Sequence, residues 1–122
     1  MVLVDTSVWV DHLRTGDARL AALLMRNQVA MHPMVIGELA CGNLRDRESL
    51  LALWRNLPGL AAASDEEALY FLARHRLWGR GIGYVDLHLL AAVSLSQGAT
   101  LWTRDRRLHA IAGTLGFAIG DD

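Results

Sequence analysis

Val2-Leu3-Val4-Asp5-Thr6-Ser7 decides how the rest of the chain reads. The apolar run fits a short buried strand, and Asp5, Thr6 and Ser7 are all good N-caps for a helix over Val8 to Arg14. A strand that turns directly into a helix is the start of an α/β unit. The same alternation continues outward. Gly16-Asp17 restarts a helix with Leu20, Leu23 and Leu24 on one face, and Gln28 to Met31 reads as a second strand. Pro33 suits the first turn of a helix that runs to about Cys41 and stops at Gly42. Arg45 to Leu57 has helical apolar spacing, and Ala61 to Ala63 reads as a brief strand. Ser64 and Glu67 stand at capping-box spacing ahead of Leu69, Leu72 and Ala73. Val85 to Gln97 is a strongly apolar helix, followed by a strand at Thr100 to Thr103, a helix from Asp105 to Gly113 and a last strand at Phe117 to Ile119. Short strands alternating with helices predict an α/β fold around a mostly parallel sheet, formed by residues 1–122 as one domain.

Against that background four acids stand out, because each interrupts a stretch that otherwise reads as core. They are Asp5, Glu38 within Val35-Ile36-Gly37-Glu38-Leu39-Ala40, Asp86 ahead of Leu87 to Val93, and Asp105 just past Leu101-Trp102-Thr103. Asp46, Glu48, Asp65, Glu66, Glu67, Asp121 and Asp122 stand in polar surroundings that solvation explains. Carboxylates at the edge of a core are costly unless paired, protonated or bound to a cation. In open α/β sheets ligands bind beyond the carboxyl ends of the strands, which is where Asp5 and Asp105 fall. If the helices carrying Glu38 and Asp86 flank that edge, four carboxylates meet. Oxygen-only ligation favours Mg²⁺ or Mn²⁺, and such an ion can activate water and hold a phosphodiester. Thr6, Ser7 and Thr103 are placed to hydrogen-bond the carboxylates or metal-bound waters. Each acid taken singly has a plainer reading: Asp5 and Asp105 as N-caps, Asp86 as a complement to a helix dipole, Glu38 on a wet helix face.

Four stretches in order, VDTSVWVDHLR at 4–14, HPMVIGELACG at 32–42, GRGIGYVDLHLLAA at 79–92 and LWTRDRRL at 101–108, resemble the PIN-domain family and, within it, the VapC-type toxins of bacterial toxin–antitoxin pairs. The resemblance implies a three-layer α/β/α domain with a central, mostly parallel sheet of four or five short strands. It also implies a Mg²⁺- or Mn²⁺-dependent endoribonuclease whose acidic quartet falls on Asp5, Glu38, Asp86 and Asp105, with supporting hydroxyls at Thr103 and at Thr6 or Ser7. Such toxins imply an RNA substrate, tRNA or ribosomal RNA, a homodimer, and a cognate VapB-type antitoxin that places a peptide in the acidic site. On that reading Asp5, Glu38 and Asp86 hold the metal, Asp105 completes the set or supports a second ion, and hydrolysis leaves a 5′-phosphate and a 3′-hydroxyl.

The remaining residues narrow the classes. All 12 basic residues are Arg, so no lysine-based phosphate loop, Schiff base or general base exists, and a receiver-type phosphoacceptor lacks both its lysine and its paired acids. A net charge of -1 argues against binding nucleic acid through a broad basic surface. It leaves room for a local patch, for which Arg80, Arg104, Arg106 and Arg107 are the candidates, with Trp78 as a base-stacking candidate. The histidines show no metal-binding spacing. Cys41 is the single cysteine, the start of the chain shows no signal-peptide pattern, and no apolar run reaches membrane-spanning length, so a cytoplasmic protein is expected. The competing functions are a PIN-like module that binds RNA or protein without cutting, and a structure-selective DNA nuclease. The small size favours RNA over the latter.

Overall fold

β1 (Val2–Val4) is the central strand of a parallel sheet in the order β2-β1-β3, with β2 at Val29–Ala30 and β3 at Thr100–Trp102. This is a computed structural model, and it describes residues 1–120; Asp121 and Asp122, read above as solvated acids, lie outside the described residues. Leu3 and Val4 are wholly buried, as a strand covered on both faces should be. The register pairs Val2 with Val29 and Thr100, and Val4 with Trp102.

The sheet corrects the expectation of four or five strands: among the described residues three are formed. Ala61–Ala63 is not a strand. The chain instead meets Met31 slightly earlier, in a single parallel bridge at Gly59 closed by Met31 N–H to Pro58 O at 2.8 Å. Phe117–Ile119 likewise shrinks to one bridge between Leu101 and Ala118. Each edge segment makes one ladder rung and no second, so neither extends into a strand.

Among the described residues seven helices cover the sheet: α1 (Thr6–Thr15), α2 (Ala18–Met25), α3 (Pro33–Ala40), α4 (Arg47–Asn56), α5 (Asp65–His75), α6 (Tyr84–Leu95) and α7 (Arg106–Thr114). From β1 the chain moves towards β2 and the Gly59 bridge, then crosses back to β3 and the Ala118 bridge. Right-handed crossovers put α1–α4 on one face and α5–α7 on the other. The packing agrees: α1 meets α3, α3 meets α4, and α5 meets α6. Trp9 and Trp54, both buried, join α1 to α4 edge to face at 5.8 Å. On the other side α6 is buried from Leu87 to Val93 on every side, as a stretch of helix that is apolar except for His88 should be. The reversal of direction at β1 opens a crevice between the carboxyl ends of β1 and β3, the switch point where α/β sheets bind ligands. Among the described residues, no helix is long and apolar enough to cross a membrane.

Candidate active site

The two strand-end acids are fastened first. Asp5 follows β1, is only 7% exposed, and caps α1 by accepting the Thr6 N–H at 2.8 Å. Its other oxygen accepts from the Thr103 hydroxyl at 2.7 Å and the Ser7 hydroxyl at 2.9 Å. Thr103, buried at the end of β3, also accepts the Asp105 N–H at 3.1 Å. Ser7 Oγ accepts the Arg104 N–H at 3.0 Å. One hydroxyl from each side thus ties the end of β1 to the end of β3. Asp105 caps α7 by accepting from the N–H groups of Arg107 and Leu108, and its side chain is exposed.

The helix-borne acids reach the same edge differently. Glu38 lies on α3, exposed, and accepts from the Thr6 hydroxyl at 2.7 Å. The sequence left Thr6 and Ser7 as alternatives; in the structure Thr6 serves Glu38 and Ser7 serves Asp5. Asp86 lies in the first turn of α6 and accepts the Gly83 N–H at 3.2 Å. Burial pushes its carboxyl above the usual range, the Gly83 N–H opposes that, and the charges of Asp5, Asp105 and Glu38 push it up further. Asp86 therefore feels all the other members of the quartet, although they come from segments up to a hundred residues apart. As placed, no group of three or more His, Cys, Asp or Glu side chains among the described residues is drawn together tightly enough to hold a metal. The chemistry of the donors still fits a hard divalent cation: all are carboxylate oxygens, and the negative potential at Asp86 is what a cation relieves.

The PIN domain family model matches residues 2–114, a span that takes in all four acids and both strand ends. The chain is a PIN-domain protein. It is 48% identical over 122 residues to Ribonuclease VapC32 of Mycobacterium tuberculosis, covering 100% of this chain and 98% of the relative. It is also 27% identical to VapC ribonuclease Mb1587 of Mycobacterium bovis and to Ribonuclease VapC11 of Mycobacterium tuberculosis, across 92% of each chain. These likenesses place it among the VapC-type PIN proteins.

The arginines of this PIN domain divide. Arg104 reaches away from the crevice, pairing with Asp11 at 2.6 Å and Asp17 at 2.7 Å while lying over the Trp102 ring. It fastens β3 to α1 and to the start of α2. Asp11 and Asp17 were not singled out in the sequence, because an acid on a helix face and an acid at a helix cap give no signal of a distant partner. Arg107 lies across the glycine loop: a Cβ on Gly81 would come within 2.6 Å of its Cδ. Gly81 has a φ of 84°, a backbone conformation that favours glycine. Arg80 and Arg106 are exposed, as is Trp78. Two histidines are core residues. His32 caps α3, its Nδ1 accepting the Met34 N–H at 3.0 Å, and packs near His88 with ring centroids 6.5 Å apart.

Proposed function

We propose that this PIN-domain protein is a Mg²⁺- or Mn²⁺-dependent endoribonuclease and the toxin of a toxin–antitoxin pair. The observation that carries the reading is the bonding at the β1–β3 switch point, where the Thr103 and Ser7 hydroxyls hold Asp5 and the Thr6 hydroxyl joins Glu38 to the same edge. The ribonuclease names of full-length relatives support the substrate class. Asp5, Glu38 and Asp86 would hold the metal, with Asp105 completing the set or supporting a second ion. When bound, the ion supplies Lewis acidity to a phosphodiester and lowers the pKa of an attacking water.

The chain's own residues do the rest. Thr103 and Ser7 hold the Asp5 carboxylate in one orientation by two donated hydrogen bonds, and Thr6 does the same for one oxygen of Glu38. These hydroxyls keep both acids aimed without immobilising all their lone pairs. Arg80, Arg106 and Arg107 are exposed and would neutralise RNA phosphates. Arg104, already paired with Asp11 and Asp17, contributes through the scaffold. Hydrolysis leaves a 5′-phosphate and a 3′-hydroxyl on a structured RNA, tRNA or ribosomal RNA. The acidic crevice is also what a basic residue of a VapB-type antitoxin would enter, so inhibition and catalysis use the same carboxylates. The toxin would act as a homodimer in the cytoplasm.

The test is cleavage of total cellular RNA by antitoxin-free protein with Mg²⁺, with Mn²⁺ and with EDTA. Discrete metal-dependent fragments, lost in Asp5→Asn, are expected. Well-folded protein that binds Mn²⁺ yet cuts no RNA would replace the nuclease with a non-cleaving binding module.

A further inference from the structure

Asp65 belongs to none of the acidic site, yet one of its oxygens holds the helix that carries Asp86. It is the first residue of α5, and that helix start is itself locked. Ser64 Oγ accepts the Glu67 N–H at 3.0 Å, and Glu67 Oε1 accepts the Ser64 N–H at 2.9 Å. From this fixed point Asp65 Oδ1 accepts from the Tyr84 hydroxyl at 2.6 Å and meets His88 Nε2 at 3.1 Å. Tyr84 and His88 are four residues apart on α6, so they share a face, and Asp86 lies midway between them. Their rings pack edge to face at 4.7 Å. The contact with Tyr84, and then that with His88, holds the Asp65 carboxyl below its usual range.

The need for such a clamp lies in what precedes α6. The connecting loop contains Gly79 and Gly81, both in the left-handed region, and Gly83 caps the helix without a side chain. A loop this permissive does not fix where α6 begins. The helix's own cap is made by Asp86, which spends one carboxylate oxygen on the Gly83 N–H. An outside anchor keeps the backbone in place without drawing further on Asp86.

We infer that Asp65 is a positioning residue: through Tyr84 and His88 it sets the first turn of α6, and so the approach of Asp86 to Asp5. In its consequence for catalysis the inference rests on the nuclease reading; in its consequence for the backbone it does not. Asp65→Ala removes the acceptor, whereas Asp65→Asn keeps an oxygen in the same place and loses only the charge. Tyr84→Phe removes one of the two partners.

Amide hydrogen exchange of full-length protein should show faster exchange over residues 84–89 in Asp65→Ala, with β3 and α7 unchanged and Asp65→Asn close to wild type. Calorimetric Mn²⁺ affinity should fall about 10-fold in Asp65→Ala, within the range for residues that orient metal ligands. The Mn²⁺ concentration for half-maximal RNA cleavage should rise in parallel while the RNA KM holds, with Tyr84→Phe intermediate. Wild-type exchange and Mn²⁺ affinity in Asp65→Ala would overturn the inference, as would equal damage by Ala and Asn. If wild-type protein cuts no RNA, the nuclease reading falls, and exchange with Mn²⁺ affinity alone decides the clamp.

Discussion

Asp5 and Asp105 leave the ends of strands, while Glu38 and Asp86 are carried on helices, and the two pairs are held by different physics. The strand-end pair sits in a lattice of short bonds: Thr103 and Ser7 donate to Asp5, and Thr103 accepts from the backbone of Asp105. Both acids also cap helices. Capping and site chemistry looked like rival explanations in the sequence, but here capping is what aims the carboxylate. The helix-borne pair depends on how α3 and α6 dock: Glu38 is met by the Thr6 hydroxyl, while burial, with the charges of the other three acids adding to it, raises the Asp86 carboxyl.

The largest expected effect breaks both pairs alike. Asp5→Asn and Asp86→Asn should each reduce RNA cleavage by at least about 100-fold, more than residues that merely orient ligands. Far-ultraviolet circular dichroism should be unchanged. Activity near wild type in either variant would remove that acid from the site.

Stability should then separate the pairs. Asp5→Ala removes a cap and the acceptor to which the buried Thr103 hydroxyl donates, a loss of about 2 kcal/mol in chemical denaturation. Asp86→Asn should do the opposite in metal-free protein. A carboxyl whose folded pKa is raised is more easily protonated folded than unfolded, so its charge opposes folding above that pKa and the cost vanishes as pH falls through it. The amide keeps an acceptor for Gly83 N–H and drops the charge. Its melting temperature should exceed that of wild type by a few degrees at neutral pH, with the gain fading in acid. A drop instead would mean that the quartet's repulsion is not felt at Asp86.

How much was legible follows the same division. Helix starts were plain wherever a cap residue meets an apolar run, as at Asp5, Ser64 and Asp105, because capping is local. The acids of the quartet could be picked out because each breaks an apolar pattern. The edge strands at Ala61 and Phe117 were overread, since a three-residue apolar run does not say whether a neighbour supplies a second rung. The pairing of Arg104 with Asp11 and Asp17, and of Asp65 with Tyr84 and His88, was invisible. Asp65 in particular reads as an ordinary first-turn acid, and only the docking of α5 on α6 reveals its partners.

The smallest effect probes how α3, the helix of Glu38, is held. His32 is buried at the cap of that helix, and its Nδ1 must be unprotonated to accept from Met34. Burial, with the charge of His88 adding to it, holds His32 below the ordinary imidazole range. The unfolded chain, at about 6.5, therefore takes up the proton first. Between the two values the unfolded state binds more protons, so stability rises with pH across that window and is lost as pH falls below about 6.5 towards the folded value. Asn is also a good N-cap and has no proton to gain, so His32→Asn should keep α3 capped and flatten this limb. Subtracting urea denaturation curves of His32→Asn from wild type between pH 5 and 8 should leave a difference of about 1 kcal/mol, confined to the acid side. A difference independent of pH would mean that His32 holds α3 by packing alone.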